Sequence, residues 1–437
     1  MSVLDFAAHR ANLFARMANQ SVAIIPSATQ YIRNRDAEFP FRQDSDFFYL
    51  TGFTEDHACL VMIKKQDSCE SWLFCQPKIK EMEIWTGYRL GPDAAIDTLK
   101  VDQAFKIEEL DEKLVDALSD MDIVYAAWGS NKDNDARWIN AIEKVKLKGR
   151  TGVSAPETMS AIEPLVHELR LFKTDAEIAL MHEASKISAG AHVAAMEQVK
   201  PGTFEYQLEG TIRNYAAQRG SRFDAYSSIV GAGANACVLH YTANDAEIKD
   251  GDLVLIDAGC ELNHYASDIT RTFPANGRFS AEQKALYQVV LDAQLAAIDA
   301  VKPGNTFNDP HEVTLKVLTQ GLVDLGLLSG DVETLIKEEA YKPFFMHKTG
   351  HWLGLDVHDV GRYKIEGEWR KLEPGMVLTI EPGLYVSPDE ESVDEKWRGI
   401  GIRIEDDILV TDQGHVVLTA DVPKSVEEVE ALCQKGQ

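Results

Sequence analysis

The sequence lacks the features that define several classes of protein. No apolar run approaches the ~20 residues that a membrane-spanning helix requires. The 437 residues include 44 lysines and arginines against 70 aspartates and glutamates, and the net charge of −26 disfavours nucleic acids and anionic membranes as partners. The six cysteines form no CxxC pair, so we interpret them as reduced, mostly buried thiols. A globular cytoplasmic protein is the expectation.

The first 17 residues also lack the unbroken apolar core of a signal peptide, because Asp5 and a helix-like spacing interrupt it. A chain of this length is too long for one typical core, which predicts two domains. Alternating apolar strands and helices predict an N-terminal α/β domain over residues 1–170, with strands at 58–63 and 71–75. The second domain is predicted over residues 171–437.

The second domain is predicted to begin with two helices and to be built from a duplicated α/β unit. Thr174 and Glu177 form a capping box for the first helix, and Gly220 follows the second. VKPGTF at Val199 is echoed by VKPGNTF at Val301, and GDLVLIDAG at 251–259 by GMVLTIEPG at 375–383. His240 precedes the first of the latter two segments, and His358 precedes the second. The chain therefore contains three matches in the same order, which indicate an internal repeat.

The segment from Asp250 to Phe273 predicts a β-hairpin that carries two acids. If the turn is Leu262-Asn263, Asp257 lies opposite Asp268. Like charges facing each other on a sheet are destabilising, so such a pair requires a cation or a shared proton. A metal site is therefore the leading hypothesis for this hairpin.

The second half of the repeat adds further metal-binding groups. Strand alternation places Glu405 and Arg403 on the face opposite Ile400, Ile402 and Ile404, and Glu381 likewise alternates against an apolar, core-packed face. Buried carboxylates without compensation are costly there. Three histidines precede these strands and lie within twelve residues, at positions 347, 351 and 358. Four carboxylates are neutralised by two divalent ions, and oxygen-rich ligation favours Mn²⁺, with Co²⁺ or Zn²⁺ also compatible.

Five segments together resemble the metallopeptidases of the pita-bread fold, and among them the bacterial Xaa-Pro aminopeptidase (aminopeptidase P) family. They are LIDAG, SDITRTF, HWLGLDVHDVG, TIEPGLY and GIRIEDD. The N-terminal segments RQDSDFFYLTGF, EIWTGYRLG and VHELRLFK are also similar to that family, so the resemblance covers almost the whole chain. It implies an α/β (α+β) architecture: an N-terminal α/β domain, then a catalytic domain with an internal pseudo-two-fold repeat.

The resemblance implies hydrolysis of the N-terminal residue from peptides with proline in second position, by a hydroxide that bridges two metals. Asp257 would bind one metal and His351 the other, while Asp268 and Glu405 would bridge both. Glu381 would bind a metal and move a proton. His347 and His358 would line the scissile bond and the proline pocket, and His240 would close the opposite wall. Arg403 and Tyr385 would support the site or contact the substrate. A homodimer or homotetramer is also implied, with the N-terminal domain supplying contacts or restricting access.

Two alternatives remain open on the sequence. A prolidase restricted to dipeptides shares the same fold and ligands, and a metal-free peptide-binding protein could share the fold alone. One departure from the family pattern stands out, because Lys348 lies in a loop where many members have small or uncharged residues. We expect this lysine to alter substrate preference, in a direction that the sequence does not predict.

Overall fold

The computed structural model describes residues 4–436, and the chain divides between Arg170 and Leu171 into two compact units. The α/β class predicted for the N-terminal unit is confirmed. Its helices are α1 (Phe6–Arg16), α2 (Ser45–Thr51), α3 (Lys80–Thr86), α4 (Gly91–Leu99), α5 (Leu110–Ala117), α6 (Lys132–Leu147) and α7 (Glu163–Leu171). Its strands are β1 (Ser21–Pro26), β2 (Ile32–Asn34), β3 (Ala37–Glu38), β4 (Cys59–Lys64), β5 (Cys69–Cys75), β6 (Gln103–Lys106), β7 (Ile123–Ala126) and β8 (Thr158–Ala161).

A six-stranded mixed sheet forms the centre of the N-terminal unit, in the order β6-β5-β4-β1-β7-β8. The apolar runs predicted as strands are β4 and β5, which pair in antiparallel register. Val22, Val61 and Val124 from this sheet pack with Leu114 of α5 and Ile142 of α6 in one buried cluster. The core therefore lies between the sheet and these helices.

The second unit contains six helices and thirteen strands among its described residues. The helices are α8 (Asp175–Gln198), α9 (Glu205–Ala217), α10 (Ala281–Asp299), α11 (Asp309–Asp324), α12 (Val332–Lys337) and α13 (Val426–Cys433). The strands are β9 (Phe223–Asp224), β10 (Ile229–Ala232), β11 (Leu253–Asp257), β12 (Cys260–Leu262), β13 (Tyr265–Ala266), β14 (Thr270–Pro274), β15 (Lys364–Ile365), β16 (Glu368–Trp369), β17 (Val377–Ile380), β18 (Gly383–Val386), β19 (Ile400–Arg403), β20 (Asp406–Thr411) and β21 (Gly414–Val417).

The backbone of this unit repeats the sequence duplication. After α8, the Gly202 amide donates to Ile248 O at 2.8 Å, and the Ile248 amide donates to Thr203 O at 2.8 Å. After α10, the Gly304 amide donates to Leu372 O at 3.4 Å, and the Leu372 amide donates to Asn305 O at 2.8 Å. Each KPG turn thus forms two hydrogen bonds with one residue, Ile248 or Leu372. That residue lies three positions before the glycine that precedes β11 or β17, the strands that lead to Asp257 and Glu381.

The predicted hairpin register is wrong. The turn is Asn263-His264, with φ of +49° and +70°, and Asp257 pairs with Thr270 instead of Asp268. Consecutive left-handed residues are what a two-residue hairpin turn requires. The ladder is also interrupted, since the Ala258 amide donates to Ile269 O between the two paired segments. Asp268 therefore lies in this interruption, still beside Asp257.

Alternation on β19 follows the prediction. Ile400, Ile402 and Ile404 pack in a buried cluster with α10 and α11, which directs Arg403 and Glu405 to the opposite side. The capping box of Thr174 and Glu177 is also present at the start of α8. No helix among residues 4–436 is long and apolar enough to cross a membrane.

Candidate metal centre

The residues predicted to form the site converge on a cavity of about 610 Å³ in the second unit. The predicted residues that line it are His240, Asp257, Asp268, His347, His351, His358, Glu381, Arg403 and Glu405. Tyr385 is only 1% exposed and lies outside this lining. The structure thus brings together acids and histidines that are separated by up to 165 positions.

Asp268, His351 and Glu405 each offer one potential metal-ligand atom, and these three atoms lie within 4.8 Å of one another. His351 Nε2 is 3.4 Å from Asp268 Oδ2 and 3.7 Å from Glu381 Oε1. The other ring nitrogen, Nδ1, lies 3.0 Å from the carbonyl oxygen of Trp352. When Nδ1 donates to a carbonyl, Nε2 is left as the ligand atom, which is the arrangement typical of histidines that bind metals.

The raised pKa values of two acids and of His351 show that the site carries more negative charge than its own cations neutralise. Burial, reinforced by the charge of Asp268, raises the pKa of Glu405 well above its usual range, and burial raises the pKa of Glu381 to about 7. Burial would lower the pKa of His351, but its bond to Asp268 and the charge of Glu381 raise the pKa to about 9. Bound protons reduce the negative charge of these buried acids. Divalent cations would neutralise the same acids, so the donor set fits metal ions.

Arg403 links three parts of the site. Its Nη2 donates to Asp257 Oδ2 at 2.6 Å, Nη1 to Tyr385 Oη at 3.0 Å and Nε to Thr270 Oγ1 at 3.1 Å. The guanidinium is nearly inaccessible to solvent, and the surrounding tyrosine and acids raise its pKa despite burial. Arg403 therefore orients Asp257 and opposes burial, which nevertheless raises the pKa of that carboxyl.

The histidines have distinct environments. His347 Nε2 lies 2.9 Å from Tyr385 Oη, and burial, with the nearby charge of Arg403, lowers the pKa of His347 to about 3. The rings of His351 and His358 meet edge to face at 4.3 Å, and burial followed by the charge of His351 lowers the pKa of His358. His347 and His358 thus present neutral imidazoles to the cavity. Both ring nitrogens of His347 are engaged, Nδ1 with the Lys348 carbonyl oxygen at 2.7 Å and Nε2 with Tyr385, so His347 offers its ring surface and His358 is the possible hydrogen-bond donor to a substrate.

Two residues of the site were not found from the sequence. The Tyr226 hydroxyl oxygen lies within hydrogen-bond distance of Oδ1 of both Asp257 and Asp268, and burial raises the pKa of Tyr226 well above the usual range. Thr270 Oγ1 donates to Glu405 Oε2 at 2.7 Å. Tyr226 lies outside the motifs identified in the sequence. Thr270 lies within SDITRTF, two residues after Asp268, and this alternation with Asp268 was the signal that could have identified it.

Comparisons with known proteins agree with this site. Residues 179–412 match the model of metallopeptidase family M24, and residues 6–125 match the N-terminal domain of aminopeptidase P. The Xaa-Pro aminopeptidase of Escherichia coli is 48% identical over 98% of this chain and 97% of its own.

Two solved structures are similar over nearly their full length. The Pseudomonas aeruginosa aminopeptidase PepP is 52% identical with a TM-score of 0.96, and the alignment covers 98% of this chain and 97% of that one. Zinc-substituted E. coli aminopeptidase P in complex with product is 47% identical with a TM-score of 0.97, covering 100% and 99%.

The repeated α/β fold and its buried acids and histidine define a metallopeptidase of family M24, an enzyme that uses divalent metal ions. The added N-terminal domain and the similarity along the whole chain narrow the class. The chain belongs to the Xaa-Pro aminopeptidases of that family, a group of hydrolases. The predicted fold and family are thereby confirmed, and the prolidase alternative is not favoured.

Proposed function

We propose that the enzyme removes the N-terminal residue from peptides whose second residue is proline. The main support is structural: Asp268, His351 and Glu405 converge beside two neutral histidines in one cavity. Relatives of the chain are also named for this specificity. The X-Pro bond is a tertiary amide without an N–H. Its leaving nitrogen must therefore gain a proton from the enzyme.

In this proposal Asp257, Asp268, His351, Glu381 and Glu405 hold two divalent ions. Four carboxylates match two such ions in charge, and three of the residues already have donor atoms within 4.8 Å of one another. Oxygen-rich ligation favours Mn²⁺, with Co²⁺ and Zn²⁺ as alternatives. When bound, such ions polarise a carbonyl group and lower the pKa of water toward neutrality.

The protein groups would position the peptide and move protons. Glu381 would accept a proton from the attacking water on its carboxylate and deliver it to the proline nitrogen. The neutral His358 imidazole would donate a hydrogen bond to the carbonyl oxygen as negative charge develops there. His240 and His347 would flank the proline ring. Tyr385, outside the cavity lining, would hold His347 and Arg403 in place.

The proposal includes a cytoplasmic homo-oligomer, a dimer or a tetramer. Large apolar side chains on the N-terminal unit support it, because Trp85 is 85% exposed, Tyr88 93% and Ile84 74%. Apolar side chains clustered in sequence and exposed to this degree are typical of surfaces covered by a partner. Light scattering of the purified protein, compared with a Trp85→Ser/Tyr88→Ser variant, would test this part.

The function is tested by a panel of X-Pro, X-Pro-Y and X-Ala-Y peptides after reconstitution of the apoenzyme with Mn²⁺, Co²⁺ or Zn²⁺. We expect release of the first residue from X-Pro-Y and little cleavage of X-Ala-Y. Equal rates on X-Pro-Y and X-Ala-Y would refute the proline specificity. Cleavage of the X-Pro dipeptide alone would instead establish a prolidase.

A further inference from the structure

A second pocket adjoins the active-site cavity. Its volume is about 290 Å³, and its walls are mostly apolar, formed by residues that include Phe307, Pro310, Trp369, Leu378 and Ile380. Lys348, Gly350 and Tyr363 belong to the walls of both cavities, so the 348–350 loop is their shared border. The proposed reaction uses no residue that is particular to this second pocket.

Lys348 has an unusual position for a cation. Its side chain is exposed, and its ammonium group forms no hydrogen bond or ion pair with any residue in the described range 4–436. Arg403, the other basic residue of the active-site cavity wall, is instead committed to Asp257 and Tyr385. The Lys348 charge is also close enough to contribute, after burial, to lowering the pKa of His311 in the second pocket. Lys348 is therefore a free cation at the border of both cavities.

The charge distribution restricts which part of a substrate can meet Lys348. The substrate of an aminopeptidase carries an ammonium group at one end, on the single residue that the proposed reaction removes. A lysine repels that end. Because the reaction removes one residue, the rest of the peptide extends away from the reacting bond on the carboxyl side. Its negative groups are the ones that a free ammonium at the border would bind.

We propose that the second pocket and Lys348 together form the subsite for the residue that follows proline, taking an apolar side chain in the pocket and a carboxylate on Lys348. The inference rests on the proposed function. The carboxylate can be the free C-terminus of a tripeptide, or the side chain of an aspartate or glutamate next along a longer peptide. The subsite makes X-Pro-Leu and X-Pro-Phe better substrates than X-Pro-Gly or the corresponding amides.

The test compares kcat/KM on X-Pro-Leu, X-Pro-Leu-NH₂, X-Pro-Gly and X-Pro-Leu-Asp-NH₂ for the wild type and Lys348→Met, which retains the length of the side chain. We expect Lys348→Met to lower kcat/KM on X-Pro-Leu by about fivefold, mainly through KM, and to leave X-Pro-Leu-NH₂ unchanged. The same loss on X-Pro-Leu-Asp-NH₂ would assign the side-chain carboxylate as a second source. The wild-type preference for X-Pro-Leu over the amide should also decline at high ionic strength.

Two further variants complete the test. Lys342→Met is the matched control, because Lys342 is exposed, pairs with Glu339 and lies outside both cavity walls. Asn308→Phe narrows the second pocket and should reduce the preference for X-Pro-Leu over X-Pro-Gly, with unchanged unfolding temperature as evidence of folding. Equal discrimination by wild type and Lys348→Met, or an unchanged leucine preference in Asn308→Phe, would overturn the subsite. Failure of the wild type to cleave X-Pro-Leu-NH₂ would instead contradict the proposed function.

Discussion

Thr270 and Glu405 form an isolated antiparallel bridge between the two halves of the internal repeat in the second unit. The Glu405 amide donates to Thr270 O at 3.1 Å, and Thr270 Oγ1 donates to Glu405 Oε2 at 2.7 Å. The same hydroxyl oxygen accepts from Arg403 Nε. One residue of the first half thus fixes both the backbone and the carboxylate of a proposed ligand in the second.

Thr270→Val should weaken metal binding because it removes the hydroxyl that orients Glu405. Residues that orient metal ligands typically contribute about 10- to 100-fold to metal affinity or activity. We expect a loss in that range in titrations of the apoenzyme with Mn²⁺. Thr319→Val is the matched control, since Thr319 is also buried but its hydroxyl has no hydrogen-bond partner among the described residues. Equal Mn²⁺ affinity in the two variants would contradict this account.

Glu381→Gln should retain the size of the side chain and lose the proposed proton carrier. We expect kcat on X-Pro-Y peptides to fall by about 10²- to 10⁴-fold, the usual contribution of general acid–base catalysis. Metal content must be measured on the same sample, because Glu381 is also a proposed ligand. Glu338→Gln, at an exposed position outside the cavity wall, serves as the control. Near-normal turnover by a metal-replete Glu381→Gln enzyme would reject the assignment.

Gly259→Ala should disrupt the interruption that brings Asp257 and Asp268 together. A Cβ at Gly259 would lie 1.7 Å from Ser267 O, so the backbone beside both aspartates must move. We expect the free energy of unfolding to fall by about 2 kcal/mol, as for overpacking, with loss of activity. Gly210→Ala, in the interior of α9 with nothing within 4 Å of the added carbon, should be neutral or stabilising. Urea titrations of both variants provide the measurement; wild-type stability of Gly259→Ala would contradict the expected clash.

His192 should make the protein less stable in mild acid. Burial lowers its pKa from 6.5 to about 4, and Nε2 lies 2.9 Å from Ala258 O. Between these pH values the unfolded state binds a proton that the native state does not. Stability is therefore complete above pH 6.5 and falls toward pH 4, by about 3 kcal/mol for a shift of this size.

Replacement by glutamine isolates this effect, because the His192→Gln side chain can donate to the same carbonyl and does not titrate. Unfolding free energies of both proteins should be measured by urea titration from pH 7 to pH 4.5. As the pH falls, the free energy of unfolding of the wild type should decrease relative to that of His192→Gln. A difference independent of pH would exclude His192 as the source.

The sequence by itself determined much of this protein, because short-range patterns reflect local physics. Strand alternation identified Glu381 and Glu405 as acids that alternate against apolar, core-packed faces, and the two KPG turns revealed the duplication that the backbone hydrogen bonds repeat. The capping box at Thr174 is likewise a local device. The metal-ligand motifs were sufficient to identify the family, since each ligand type occurs in a distinctive local segment.

Other features depended on contacts between distant parts of the chain. The hairpin register was decided by which two residues adopt positive φ, and by the close approach of Gly259 to Ser267, neither of which a short pattern specifies. The tertiary fold alone placed Tyr226 against Asp257 and Asp268, and Arg403 between Asp257 and Tyr385. Local sequence determines where a strand or ligand occurs, whereas the neighbours that set its charge and orientation come from elements brought together by packing.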